Sequence, residues 1–184
     1  MLRAYEKTTT RMIVVLLLML GLSSAYMFTV AGHIPVQSDF DPWKAAGLWH
    51  PIAMVTDIDQ VPEIEEVRVQ TDSKLIPVSD GDFKLNSYIK VAGDCRPYNR
   101  LLRRTEKPGV FTSQHGNQLR VMAVDYEDYI IVHAEIETHI AMYLSGRGRH
   151  VGDDIKQKFR ELALSLNLPE EHIRYFRSIE QCTP

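Results

Sequence analysis

The stretch "GLWHPIAM", residues 47–54, sets a glycine two positions ahead of a tryptophan, and the chain has only two tryptophans. A glycine lacks Cβ, so beside a large aromatic ring it marks a place where something must approach closely. The partner of Trp49 has to come from elsewhere in the chain.

Strand patterning surrounds this segment. In "FKLNSYIKV" (83–91) Phe83, Leu85, Ile89 and Val91 alternate with Lys84, Asn86, Tyr88 and Lys90. That is period two, with one dry face and one wet. "QLRVMAV" (118–124) repeats it, and "YIIVHAEIE" (129–137) is a richer β-branched run. Short turn signals separate the runs: "SDGD" at 79–82, "GD" at 93–94, "KPG" at 107–109, "HGN" at 115–117 and "YED" at 126–128. Strands joined so tightly predict an antiparallel meander, and closing it into a barrel removes both exposed edges. The period changes once. In "GDDIKQKFRELALSLNLP" (152–169), Ile155, Phe159, Leu162 and Leu166 fall on one helical stripe, with Asp153 and Asp154 at its start and Pro169 at its end. The expected fold is therefore all-β, an eight-stranded antiparallel up-and-down barrel with one C-terminal α-helix packed outside.

Composition narrows the class. The chain has 184 residues, 45% of them hydrophobic, which suits one compact domain. Residues 1–11 carry Arg3, Lys7 and Arg11, and the apolar run at 12–22 is short for a bilayer span. It is followed by "SSA", which predicts a signal peptide over 1–25, with Ala31 as a second cleavage site, and one domain over 26–184. An uncleaved signal anchor is the competing reading. Cleavage removes Arg3, Lys7, Arg11 and Glu6, a net two positive charges, and takes the formal charge from −3 to −5. Beyond Arg100, Arg103 and Arg104 there is no basic cluster, so nucleic acid is not an expected partner. Two cysteines in a secreted chain favour one disulfide.

Three separated stretches share a pattern. "GLWHPIAM" is the first; "VDYEDYIIVH" (124–133) places Asp125 and Tyr126 at a hairpin corner; "MYLSGRGRH" (142–150) brings Arg147 off the last long strand. Taken together the chain resembles the lipocalin family of the calycin superfamily, in the manner of small secreted epididymal, odorant-binding or β-lactoglobulin-like members, over about residues 38–182. The likeness rests on Gly47, Trp49, Asp125, Tyr126 and Arg147. It departs at His50, where the family often has tyrosine, and at Val124, where it has threonine. "GRGR" also offers Arg149 in place of Arg147.

The resemblance implies that Trp49 plugs the closed end of the barrel under the guanidinium of Arg147, a structural role for both. It implies a Cys95–Cys182 bridge tying the tail to the barrel. It also implies an inward face of Phe83, Leu85, Ile89, Leu119, Val121, Ile130, Val132 and Tyr143, suited to a small hydrophobic ligand such as a retinoid, fatty acid, steroid or odorant. The same residues equally suit a barrel filled by its own side chains. In that case the chain would be an extracellular interaction module meeting a cell-surface receptor through loops such as the acidic "TDIDQVPEIEE" at 56–66.

Neither catalysis nor a cofactor is expected. The family's prostaglandin D synthases use a free barrel cysteine, and none is left once Cys95 and Cys182 pair. There is no G-x-S-x-G, and "EIEE" (63–66) suits a solvated strand edge better than a carboxylate dyad. The seven histidines show no metal-ligand spacing, although His133 and His139 could meet across a hairpin. The expectation is a secreted, extracellular carrier without a membrane span after cleavage.

Overall fold

The computed structural model describes residues 34–58, 72–91 and 94–176. The expected signal segment, most of the 56–66 loop and Cys182 lie outside them.

Eight strands follow one another along the chain: β1 (Gly47–Thr56), β2 (Ser73–Pro77), β3 (Phe83–Val91), β4 (Asp94–Arg104), β5 (Val110–Ser113), β6 (Gln118–Asp125), β7 (Tyr129–Ile136) and β8 (His139–Gly146). Each pairs antiparallel with the next, and β1 pairs with both β2 and β8, which closes the sheet into a barrel. Alternation holds in the first part of β3, where Phe83 and Ser87 are buried and Lys84 and Asn86 are exposed. The turns also fall where their residue types demand. Gly109 has φ +72°, and a Cβ there would stand 2.9 Å from the carbonyl oxygen of Gln37. That contact belongs to the lead-in, which crosses here and donates from Gln37 N–H to the Val121 carbonyl at 2.9 Å.

Two β-bulges decide which faces point where. The β1–β8 register shifts between Pro51 and Ala53. Proline cannot donate to a ladder, so a bulge is where a strand tolerates it. An extra residue flips the alternation beyond it. Trp49 therefore points into the barrel, whereas Ala53 and Val55 point out. The β6–β7 register shifts between Val121 and Ala123 in the same way. Val121 lies inside; Met122 and Ala123 pack outside.

The outer layer is a second core. Helix α1 (Asp153–Ser165) lays Phe159 and Ala163, both fully buried, on Val55, Ile131, Met142 and Leu144. Ile155, Leu162 and Leu166 pack at its margin. Ala163 belongs to the dry stripe but is too small to stand out in the sequence. Lys158 Nζ donates to the Tyr129 hydroxyl at 2.8 Å, fastening the helix to β7. The helix stops before Pro169 because Asn167 turns left-handed at φ +58° and Leu168 N–H bonds back to the Ala163 carbonyl at 3.0 Å.

The chain then forms an element the sequence pattern does not announce, β9 (Arg174–Tyr175), which pairs with Ala53 and Met54 on β1. Two residues carry no periodicity. Their pairing exists because β1 meets β2 only through Gly47–Trp49, which leaves its later edge free. No helix among the described residues is long and apolar enough to cross a membrane.

Candidate functional site

One end of the barrel is sealed. Trp49 is 2% exposed, and its Nε1–H donates to the Ala45 carbonyl at 2.9 Å. The Arg147 guanidinium lies over the indole, its carbon 3.8 Å from the ring centroid. The same guanidinium donates from Nε to the Tyr126 carbonyl at 2.7 Å, from Nη1 to Leu48 at 3.0 Å and from Nη2 to Lys44 at 3.1 Å. Gly47 has φ +108°, and a Cβ there would stand 3.2 Å from Arg147 Nη1. The glycine two positions before the tryptophan thus makes room for the arginine that covers it. Burial lowers the Arg147 pKa, and Glu127 works against that shift.

The hairpin corner completes the seal. The Asp125 carboxylate accepts from Glu127 N–H at 3.0 Å, and the Tyr126 hydroxyl accepts from Asp41 N–H at 2.7 Å. Arg149, the other candidate in "GRGR", instead pairs with Asp72 at 2.9 Å, and His50 stands 2.8 Å from the same carboxylate.

Above the floor lies a cavity of about 190 Å³, lined from all eight strands. Phe83, Leu85, Leu119, Val121, Ile130, Val132 and Tyr143 line it. Ile89 pairs with Arg96 in the β3–β4 ladder, and its side chain falls outside what is described. Phe40, Phe83 and Phe111 cluster at the bottom with ring centroids 5.4–6.2 Å apart.

Several lining residues were not in the expected set. Phe40 comes from the lead-in, where no periodicity flags it. Tyr98, Arg100 and Leu102 come from β4, whose sequence "DCRPYNRLLRR" looks polar throughout. Their i, i+2, i+4 spacing was the available signal, masked by charged and polar residues. Arg100 stacks on Tyr98, its guanidinium carbon 4.3 Å from the ring centroid. Tyr143 keeps some accessible surface, but that surface faces the lumen. Burial pushes its pKa up from 10.0 to about 12, with the Tyr98 phenol adding to the effect.

The remaining candidates lie elsewhere. His133 is fully buried in β7, with Nδ1 3.4 Å from Arg120 Nη1. Burial and then Arg120 lower its pKa, against Glu135. It pairs across the ladder with Met142, whereas His139 pairs with Ile136, so the hairpin does not set the two histidines opposite each other. No group of three or more His, Cys, Asp or Glu among the described residues could hold a metal ion. Cys95 is exposed at the start of β4 and is disulfide-bonded, so it offers no thiolate to the lumen.

Two outcomes follow from this geometry. Arg147→Ala should destabilise the fold by about 3 kcal/mol in urea denaturation, from a lost cation–π contact and three charge-assisted hydrogen bonds. Arg147→Lys should recover less than half of that, because an ammonium cannot reproduce the planar fork. Unchanged stability in Arg147→Ala would remove the arginine from the floor's support. For Tyr143 the folded pKa lies above the unfolded value, so the fold favours the neutral phenol. That contribution is complete below pH 10.0 and is lost as pH rises toward about 12. Tyr143→Phe should flatten the stability profile over that window, measured by denaturation at stepped alkaline pH.

Known proteins place this architecture. The profile described as "Lipocalin / cytosolic fatty-acid binding protein family" matches residues 46–178. Epididymal secretory protein 4 of Zootoca vivipara is 45% identical, covering 94% of this chain and 98% of that protein. The salivary lipocalin of Sus scrofa is 31% identical, with 91% and 90% covered. The prostaglandin-H2 D-isomerase of Ovis aries is 24% identical, with 90% and 92% covered, so the likeness extends to a protein named as an enzyme. With a closed eight-stranded barrel, an indole capped by Arg147 and a matching profile over most of its length, the chain belongs to the lipocalin family.

Proposed function

We propose that this lipocalin is a secreted carrier that holds one small apolar ligand inside its barrel. The observation that carries the reading is the lined cavity of about 190 Å³ above a sealed floor. A preformed apolar space with a few polar groups is what small-molecule sites look like, and it favours a carrier over a barrel filled by its own side chains. Non-enzymatic binding is also the reading its chemistry supports, since the exposed, disulfide-bonded Cys95 supplies no lumen nucleophile.

The size narrows the ligand. An apolar cavity of about 150 Å³ takes up benzene. The space here, about 190 Å³, suits a ligand of roughly eight to ten heavy atoms. That favours an odorant or a medium-chain lipid over a steroid or retinoid. Burying about 200 Å² of apolar surface gains about 5 kcal/mol, a Kd of a few tenths of a millimolar before any polar contact.

Secretion is proposed through residues 1–25, with Cys95 bridged to Cys182. The secreted protein should then have an intact mass lacking residues 1–25 and two hydrogens below the reduced form. A full-length mass, or a mass unchanged by reduction, would sink the corresponding half of that proposal.

Binding has a built-in reporter. Trp49 lines the cavity, whereas Trp43 is 66% exposed. Titrating small apolar ligands should change tryptophan emission saturably, and Trp43→Phe should keep most of the response. Val121, 4% exposed in the lumen, faces Val132 across the β6–β7 ladder. Val121→Trp should fill the space and abolish the response, with Val132→Phe as the milder variant if the first does not fold. A wild type that shows no saturable change with any small apolar ligand ends the carrier reading.

A further inference from the structure

We propose that the lumen selects amphiphiles with a carboxylate head, bound by Arg100 with the hydroxyls of Tyr98 and Tyr143 beside it. The proposal rests on the carrier reading above and names the chemistry of the cargo.

The starting point is a cation with no counter-charge. Arg100 lines the cavity, and among the described residues no Asp or Glu does. The ion pairs among the described residues join Arg120 to Glu135, Arg149 and His50 to Asp72, His139 to Asp57 and Lys156 to Asp153, so none engages Arg100. The guanidinium instead lies over the face of Tyr98, its carbon 4.3 Å from the ring centroid. That stacking fixes the plane of the guanidinium but accepts none of its five N–H donors. A half-buried guanidinium facing a largely apolar space gains from an anion placed beside it. Carboxylate geometry matches the arginine fork bidentately.

The surroundings place head and tail. Arg100 stands opposite Leu85 in the β3–β4 ladder, and Leu102, two residues on, stands opposite Phe83. The head would therefore sit one rung above the floor. Below it Phe40, Phe83, Phe111 and Trp49 offer only apolar surface apart from an indole N–H already bonded to Ala45. Tyr143 stays a neutral phenol at physiological pH, so it can donate a hydrogen bond to an anion. Among the described residues, every charged or phenolic group at this level is a donor. A neutral alcohol of the same length would fill the floor equally well and leave Arg100 uncompensated.

Octanoic acid and octan-1-ol form a matched pair of the right size. Calorimetric titration of the full secreted protein at neutral pH should give octanoate about tenfold to hundredfold tighter binding than octanol, the range for hydrogen bonds to a charged group. In Arg100→Gln, with its melting curve checked, that ratio should collapse to within about threefold. If Arg100→Gln does not fold, Arg100→Lys keeps the charge, loses the fork and should shrink the ratio. Equal affinities in the wild type, or a ratio that persists in the variant, would overturn the assignment. Octanol binding without octanoate would overturn it while leaving the carrier reading standing, and binding of neither would remove both.

Discussion

Arg147 lying across Trp49 holds together parts of the chain that no strand pairing joins at that end. One planar guanidinium covers the indole and donates to carbonyls of Lys44 in the lead-in, Leu48 in β1 and Tyr126 at the β6–β7 corner. Those carbonyls lie where regular pairing gives way to turns, so their acceptor capacity would otherwise fall to water. Arginine can serve all of them because its donors diverge in a plane from a group that stays charged. A closed sheet alone would be a tube open at both ends. The seal turns it into a cup, and only a cup gives a ligand an apolar floor.

The cup has two cores, and the bulges keep them apart. A strict period of two along β1 would point Ala53 and Val55 into the lumen with Trp49. The shift at Pro51 sends them outward to meet Phe159 of α1. The shift after Val121 does the same for Ala123. The helix therefore packs on side chains supplied by strands whose other portions line the cavity. The larger cluster of buried side chains lies outside the wall, and the inside keeps an unfilled space.

That space is not uniformly apolar. Its floor is aromatic, while Arg100, Tyr98 and Tyr143 gather above. Polar residues inside a barrel are costly unless something satisfies them. Stacking Arg100 on Tyr98 meets part of the requirement and leaves its N–H donors without a carboxylate among the described residues. The sealed floor and this polar level together give the lumen a direction, with an apolar end and a cationic one.

The sequence by itself determined the barrel, the helix and the floor, because each is written in local terms. Alternation in "FKLNSYIKV", the helical stripe from Ile155 to Leu166 and glycine set two residues before Trp49 are all visible within a few positions. The inward face was implied by the resemblance to the lipocalins, which sets the strand phases, and the alternation agrees with those phases wherever a strand is regular. Which arginine covers the tryptophan was open between Arg147 and Arg149, and only the tertiary structure assigned them, one to the indole and the other to Asp72. The fold alone likewise placed Phe40 at the bottom of the lumen, added β9 to the free edge of β1 and turned the polar-looking β4 inward at Tyr98, Arg100 and Leu102. Those features depend on closure: a strand's two faces differ in chemistry only after the sheet has curled and one face has become an inside. No local pattern can announce a cation whose significance is that no described residue across the barrel neutralises it.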